Sequence, residues 1–359
     1  MIDLRRSTTE STNELTVQSS IRNRRINPAV LCVLLAVGLV VACIANISLG
    51  AYDVPVSHLW SAMTGSGVDD TTRTVIQQIR LPRLALALIV GACLACAGVL
   101  MQGIFANPLA EPALVGVSSG AAVGAVVAIL IGLTAIASWS LPVAAFLGGL
   151  SVTVGVFAMA RVNGRTEVLT LILAGIAVNA FAGAIIGLVM SVADDAQLRS
   201  ITFWTLGSVS TATWSKVLVI LPAAILGLAC TPLFAHRLDL LALGEQNARH
   251  LGVDVDRLRR QVITVIAVVT AAAVAVSGII SFVGLVIPHA IRLLIGPSHR
   301  WLLICSTLAG ALLLVVADLV ARTIVEPREL PLGVLTALIG SPVFFWLLRR
   351  EHRRAGAFA

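Results

Sequence analysis

Charged residues are scarce in this chain: they make up 12% of its 359 residues, against 58% hydrophobic residues and a mean hydropathy of +0.98. A soluble globular domain has about 25% charged residues, so the composition excludes that class and indicates a polytopic membrane protein. The chain has a net charge of +7, and a positive net charge is also typical of nucleic-acid-binding proteins. Here, however, the basic residues stand at the ends of apolar runs, so we interpret them as topology signals and expect no nucleic-acid partner.

Signatures of enzymes are also missing. The sequence contains no GxxxxGK[ST], HExxH or GxSxG motif, so any energy from ATP must come from another chain. The centres of the apolar runs are nearly free of charge, whereas secondary transporters and ion channels more often carry charges there to bind coupling ions. Asp318 is the main exception. It is either solvated, paired with Arg322 one helical turn away, or paired with a residue of a neighbouring helix.

Cysteine chemistry is not indicated either. A CxxC motif at Cys93 and Cys96 has no second CxxC and no clustered histidine beside it, so no metal site is predicted. His289, in an IPH motif, is likewise interpreted as a structural histidine rather than a haem ligand. We interpret all six cysteines as small packing residues in or beside apolar runs: Cys32, Cys43, Cys93, Cys96, Cys230 and Cys305.

Apolar runs of about 20 residues predict the membrane spans. A further, shorter run at 283–295 contains Pro288 and is either a short buried helix or a re-entrant segment. Counting it as a crossing gives ten helices in one domain over residues 28–350. The nine longer runs lie near 29–50, 81–105, 113–133, 139–160, 168–192, 214–234, 260–281, 301–321 and 332–348.

Ten crossings place both termini on one side of the membrane. With a cytoplasmic N-terminus, the 25 Lys and Arg residues divide 18 inside and 7 outside, in agreement with the positive-inside rule. We therefore expect flexible cytoplasmic tails at 1–27 and 351–359. A signal peptide is the alternative for the N-terminus, but the run from Asn27 is long for one and Ile47–Gly50 is a weak cleavage context.

The segment 238–261 is the only long charged stretch in the interior of the chain. Charges of this density must lie outside the hydrocarbon, and the charge distribution places them on the cytoplasmic side. Leu240, Leu243 and Leu251 recur at helical spacing, and Gly244 and Gly252 are placed to end or turn short helices. The pattern predicts two short helices lying across a groove of a partner.

Six ordered motifs, covering about residues 30–350, resemble the FecCD-type permeases, the membrane subunits of ABC importers for iron-siderophore, haem and vitamin B12. The resemblance implies an all-α, ten-helix, BtuC-like fold that forms a homodimer in the cell membrane. Two cytoplasmic ATPases, which hold ATP and Mg, and an extracytoplasmic binding protein are the implied partners, and no cofactor is implied on this chain. The motifs are RLPR at 80–83, GVLMQGIFANPLAEPALVGVSSGAAVGA at 98–125, LALGEQNARHLG at 241–252, GIISFVGLVIPHAIRLL at 278–294, ADLVAR at 317–322 and ELPLGVLTALIGSPVFFWLL at 329–348.

The same resemblance implies roles for three groups of residues. Contact with the binding protein is implied for arginines at outer ends of spans, and a cytoplasmic gate for a proline-bounded turn. The alternatives are snorkelling to lipid headgroups for the arginines and a simple hairpin loop for the turn. The groups are Arg80, Arg83 and Arg322 for docking; Asn107 and Leu109 for the gate; and Leu240, Leu243, Gly244, Glu245, Ala248, Leu251 and Gly252 for contact with the ATPase.

The cargo is indicated by one short motif. The run QLRSITFWTLGS at 197–208 resembles haem-type members more than siderophore or vitamin B12 members. Phe203 and Trp204 suit stacking on a flat macrocycle, although aromatic residues are equally expected as membrane anchors. We therefore predict haem as cargo, with a ferric siderophore or, less favoured, a corrinoid as alternatives. An ATP-independent secondary transporter is a distant further alternative.

Overall fold

The computed structural model describes residues 26–50, 52–55, 57, 61, 69–162, 165–325 and 328–355. Within them the regular secondary structure is helical except for one hairpin, in which β1 (Arg161–Val162) pairs antiparallel with β2 (Arg165–Thr166). The helices are α1 (Pro28–Ser48), α2 (Asp70–Thr74), α3 (Leu81–Ile104), α4 (Val117–Leu130), α5 (Ser140–Met159), α6 (Val168–Val192), α7 (Asp195–Thr205), α8 (Trp214–Cys230), α9 (Pro232–Leu241), α10 (Glu245–His250), α11 (Val255–Ser277), α12 (Val283–Ile295), α13 (His299–Thr323) and α14 (Leu332–Ala355).

Each of the ten predicted apolar runs contains a helix in the described part of the chain. Six helical stretches are long and apolar enough to cross a bilayer, one of them running from α2 through a π-helical segment into α3. A seventh is formed by α8 and α9 together, which bend by 47° at Thr231 and Pro232, where the proline lacks a backbone N–H. The shorter apolar helices are α4, α12 and the first part of α14.

The predicted tails are only partly described. Residues 1–25 and 356–359 lie outside the described residues. Helix α1 begins at Pro28, with the side chain of Asn27 accepting a hydrogen bond from the backbone of Ala29. At the other terminus α14 continues to Ala355, five residues into the predicted tail at 351–359.

Helix α3 lies at the centre of the bundle, and glycines allow its neighbours to approach it closely. A Cβ on Gly98 would lie 1.9 Å from the carbonyl oxygen of Gly284 in α12, and one on Gly91 would lie 2.3 Å from that of Gly310 in α13. Small residues let helix backbones meet in this way in membranes, where packing rather than hydrophobicity drives association.

A non-helical segment at 278–282 precedes α12 and explains why that helix is short. Unpaired backbone groups are costly in a membrane interior, and two bonds at the edges of the segment meet this need. The N–H of Ser208 donates to the carbonyl of Ser277 at 2.7 Å, and the N–H of Phe282 donates to the carboxylate of Glu111 at 3.1 Å. With 13 residues, α12 rises about 20 Å, less than a bilayer core of about 30 Å.

The functional elements gather at two ends of the bundle. At one end, called here the α10 end, α9, α10 and the β1–β2 hairpin pack near the C-terminus of α3. At the other, the α7 end, the N-terminus of α3 meets the C-termini of α1 and α13, and α7 stands close to α4.

Candidate functional site

The segment 238–261 contains one complete short helix, α10, rather than the two predicted, and only its middle is a surface element. Its first residues complete α9 and its last seven begin α11, so the prediction of one continuous polar loop is wrong at both ends. Gly244 (φ 103°) and Gly252 (φ 84°) bound α10 with left-handed backbone conformations that favour glycine.

The α10 helix divides its apolar residues between the protein interior and the surface. Ala248 is fully buried and Leu240 is half-buried, which fixes α10 against α9. Leu243 and Leu251 are 60% and 57% exposed and flank the helix. Two exposed leucines on a short polar segment form an apolar contact surface, which the burial pattern leaves uncovered in a single chain.

An ion network holds α10 in place. Glu245 accepts hydrogen bonds from Arg249 and Arg259, both at 2.9 Å, and Arg249 also reaches Asp256 at 3.0 Å. Arg259 donates in addition to the carbonyl of Thr166 in the hairpin at 3.3 Å. The bonds from Arg249, and then from Arg259, lower the pKa of Glu245. The network therefore ties α10 to α11, and α11 to the β1–β2 hairpin.

The sequence Asn107–Pro112 forms the rigid turn that its two prolines predict. The Asn107 side chain accepts from the N–H of Leu109 at 2.9 Å, and its carbonyl accepts from the N–H of Ala110 at 3.1 Å. Asn107 is exposed and Leu109 is half-buried, directly after the C-terminus of α3. Ala106 has a φ of 47°, which is uncommon for a residue with a side chain.

Glu111 joins this turn to α12. Its carboxylate accepts the N–H of Phe282, the residue that begins α12 with a φ of 68°. Burial raises the pKa of Glu111. The ring of Phe282 packs on Phe344 with centroids 6.4 Å apart, so the turn, α12 and α14 are in mechanical contact.

The three arginines predicted for docking lie together at the α7 end, but two of them are buried. Arg80 is 4% exposed and donates to the backbone carbonyls of Ile47, Ser48 and Tyr52. Arg322, which is partly buried, donates to the carbonyl of Asn46. These guanidiniums close the C-terminus of α1, whose last carbonyls have no partner within the helix.

Arg83 forms the ion pair with Asp318, whose partner the sequence left open. It donates through Nε to Asp318 at 2.7 Å and through Nη1 to Glu329 at 2.8 Å. Asp318 is fully buried and also accepts from Asn46. Of the partners left open for Asp318, the structure selects Arg83 on a neighbouring helix rather than Arg322. Arg80 and Arg83 both have hydrogen-bond partners inside the chain.

A cavity of about 1110 Å³ opens at the α7 end. Arg199, Phe203 and Trp204 of α7 line it, together with Lys216 of α8 and Glu329 before α14. Phe203 is 67% exposed. The volume is that of a site for a ligand of drug size or larger, and its wall combines aromatic faces with cationic groups. The two aromatic residues singled out in the sequence are therefore brought together with cations.

Two features of the site escaped the sequence interpretation. Helix α7 was not recognised as a helix, although Asp194 and Gln197 form a capping box, a readable sequence signal for a helix start. The contact between Asp239 of α9 and His299 of α13, whose Oδ1 and Nδ1 are 2.7 Å apart, has no such signal. The two residues are 60 positions apart, and only packing brings them together.

The profile of the FecCD transport family matches residues 38–350. The chain belongs to this family. It is 43% identical to the hemin transport system permease protein HmuU of Yersinia pestis, over 93% of this chain and all of the relative. It is also 43% identical to the cobalamin import system permease protein BtuC of Halobacterium salinarum, over 87% of this chain and 86% of the relative.

A solved structure agrees with the fold. An inward-facing conformation of a putative metal-chelate type ABC transporter aligns with a TM-score of 0.81 at 36% identity, covering 90% of this chain and all of the other. The chain is thus a multi-pass ABC importer permease with a BtuC-like fold, and ATP hydrolysis resides on a separate subunit. The hemin and cobalamin permeases have the same sequence identity to this chain, so sequence identity alone does not select the cargo.

Proposed function

We propose that this permease imports haem and that the cavity at the α7 end is where the cargo enters. The observation that carries the proposal is the wall of this cavity, where Phe203 and Trp204 stand beside Arg199 and Lys216. Aromatic faces suit a flat macrocycle, and guanidinium and ammonium groups suit its carboxylates. The 43% identity to a hemin permease supports this choice.

A corrinoid is the second candidate, because a cobalamin permease is equally identical to this chain. A ferric siderophore is the third, since the family resemblance includes such importers. Both are bulkier and less flat than haem, so stacking on Phe203 and Trp204 would contribute less to their binding.

Uptake by proteoliposomes that hold the permease, its ATPase and its binding protein tests the cargo. We expect ATP-dependent uptake of haem and little uptake of cobalamin or ferric siderophores. Arg199→Ala and Trp204→Ala should lower haem uptake, whereas Thr202→Ala, on the same helix but outside the cavity wall, should not. Siderophore or cobalamin flux would contradict haem as cargo, and flux without ATP would contradict the importer mechanism.

We propose that α10 is the contact with the ATPase subunit. Leu243 and Leu251 form the apolar part of that contact, and Leu240, Ala248 and the ion network of Glu245 hold the helix at the angle set by Gly244 and Gly252. Leu243→Asp combined with Gly244→Asp should abolish uptake while binding-protein docking persists. Normal uptake in that variant would contradict the assignment.

We propose that the binding protein docks at the α7 end by forming ion pairs with Arg80, Arg83 and Arg322. Glu329 is the accessible member of the cluster, with its side chain 40% exposed. Carboxylates of the binding protein would compete with it for Arg83. Glu329→Gln is therefore expected to tighten docking, measured as the dissociation constant of the binding protein. Weaker docking would refute the idea that Glu329 competes with the binding protein for Arg83.

We propose further that two copies assemble as a homodimer in the cell membrane, with Asn107 and Leu109 at the cytoplasmic gate of a path between them. Apolar residues of α6 and α14 are widely exposed in the single chain, including Phe181, Leu188 and Phe345, each at 68%. The arginine distribution supports cytoplasmic termini and a cytoplasmic α10 end. Labelling of a cysteine placed at Leu251 from one side of sealed vesicles tests the orientation.

A further inference from the structure

The C-terminus of α3, where the gate turn begins, packs directly on the element that carries α10. A Cβ on Gly103 would lie 2.8 Å from Nε2 of His299 and 3.2 Å from a methyl group of Leu238. Leu238, on α9, is fully buried, and His299 is 2% exposed. Gly103 therefore lies against α9 on one side and against the His299 ring on another, four residues before Asn107.

The position of the His299 ring is set by α9. Asp239 accepts through a single oxygen both the backbone N–H of His299, at 2.9 Å, and Nδ1 of its ring, at 2.7 Å. Because an ionised carboxylate only accepts, Nδ1 carries the proton. Ser298 is the N-cap of α13 but makes no side-chain cap bond, so Asp239 takes over the capping role across helices, where a negative charge is also favoured.

Nε2 points towards α3 and makes no hydrogen bond to any of the described residues. The ring thus acts at that edge through steric contact alone. A buried polar atom without a hydrogen bond is costly, and the ring retains this position because Asp239 fixes its other edge. In addition, Gln102 beside Gly103 donates to the carbonyl of Leu285 and accepts from Arg292, so hydrogen bonds join this end of α3 to α12.

We propose that Asp239 and His299 form a strut that transmits displacement of α9 and α10 to the C-terminus of α3 and so to the gate turn. The inference rests on the proposed function of α10 as ATPase contact. Its parts are in direct contact: α10 follows α9, Asp239 of α9 holds His299, and His299 presses on Gly103. His299 is a positioning residue that touches no cargo.

Accessibility of the turn in the complete complex tests the strut. In a reporter chain carrying Asn107→Cys, we measure the rate of maleimide labelling with and without ATP, using the chain without this substitution to correct for its six cysteines. Couplings between sites are typically 5- to 150-fold. His299→Asn keeps an N–H for Asp239 but lacks the ring edge, and should reduce the ATP-dependent change in labelling about fivefold or more.

Matched variants separate a strut from a folding defect. Arg300→Ala, exposed on the next position of α13, should behave as the reporter does. Asp239→Asn should weaken the change as His299→Asn does. Gly103→Ala should also impair it by displacing the ring, and combining it with His299→Asn should cost no more than His299→Asn alone, because both act through one contact.

Each result supports or overturns the strut. An ATP response of normal size in His299→Asn, or additive losses in the double variant, overturns it, as does a reporter that transports but shows no ATP response. ATPase activity and unfolding are measured in parallel to recognise a variant that merely unfolds. If His299→Asn unfolds, the ATP response of Asp239→Asn decides whether the strut exists. A reporter that responds to ATP but takes up no haem would contradict haem as cargo, and loss of that response in His299→Asn would still support the strut.

Discussion

The buried ion pair between Arg83 and Asp318 predicts a large effect of a single replacement on stability. Replacing Asp318 with alanine removes the carboxylate that Arg83 Nε contacts at 2.7 Å. Arg83, with its side chain only 8% exposed, would keep Glu329 as its remaining acidic partner, whose side chain is 40% exposed. The two carboxylates contact the same guanidinium at nearly the same distance, and they differ in burial.

The magnitude follows from this geometry. At 2.7 Å and an effective dielectric constant of 20, two unit charges attract by about 6 kcal/mol, which desolvation of several kcal/mol per ion largely offsets. Deleting one partner leaves that penalty on the other, so Asp318→Ala should lower the free energy of unfolding by about 3–5 kcal/mol. Glu329→Gln, at a partly exposed position, should cost about 0–1 kcal/mol.

Denaturant titration in detergent, followed by tryptophan fluorescence, measures these free energies. The double replacement Arg83→Met with Asp318→Leu should lower the free energy of unfolding by much less than the sum of the two single replacements. It removes both charges, so no unpaired charge stays buried. The reasoning would be refuted if Asp318→Ala and Glu329→Gln had equal effects, or if the two single replacements of the pair were additive.

Two further predictions concern packing and pH. Gly98→Ala should strongly destabilise the fold, since its Cβ would meet the carbonyl of Gly284 at 1.9 Å, whereas Gly155→Ala, with open space around it, should be neutral in the same denaturant titration. The pKa of Glu245 is lowered by Arg249, so its ion pairs stabilise α10 above the ordinary carboxyl pKa of about 4.3 and are lost as the pH falls through the lowered value. Hydrogen exchange of the α10 amides should show this loss as lower protection at acid pH. In Glu245→Gln these amides should exchange faster at neutral pH and show no pH-dependent loss of protection. Unchanged protection in that variant would contradict the role of the network.

The fold was largely predictable because the signals that define it are local. A bilayer-length apolar run specifies a membrane helix whatever its neighbours are, and Val168–Val192 was predicted to the residue. Glycine in a polar segment indicates a turn, as Gly244 and Gly252 confirm. Bounds were less accurate at 260–281, where the helix runs from Val255 to Ser277. They were also less accurate at 214–234, where Pro232 changes the direction of the helix without ending the apolar run.

The partners of charged side chains were not predictable in this way. Sequence spacing favours Arg322 as the partner of Asp318, because residues four apart share a helix face. Packing of α3 against α13 places Arg83 closer, although 235 positions separate it from Asp318. The choice between the two arginines depends on the distance between helices, which no local pattern encodes.

The sequence by itself determined that this chain is a helical membrane permease of its family, since composition, span lengths and ordered motifs are properties of the linear chain. Only the tertiary structure decided which charges are buried, that Phe203 and Trp204 share a cavity with Arg199, and that Asp239 holds His299 against Gly103. The physical reason is that ion pairs, cavities and steric contacts act over a few ångströms between distant segments, and only helix packing sets those distances.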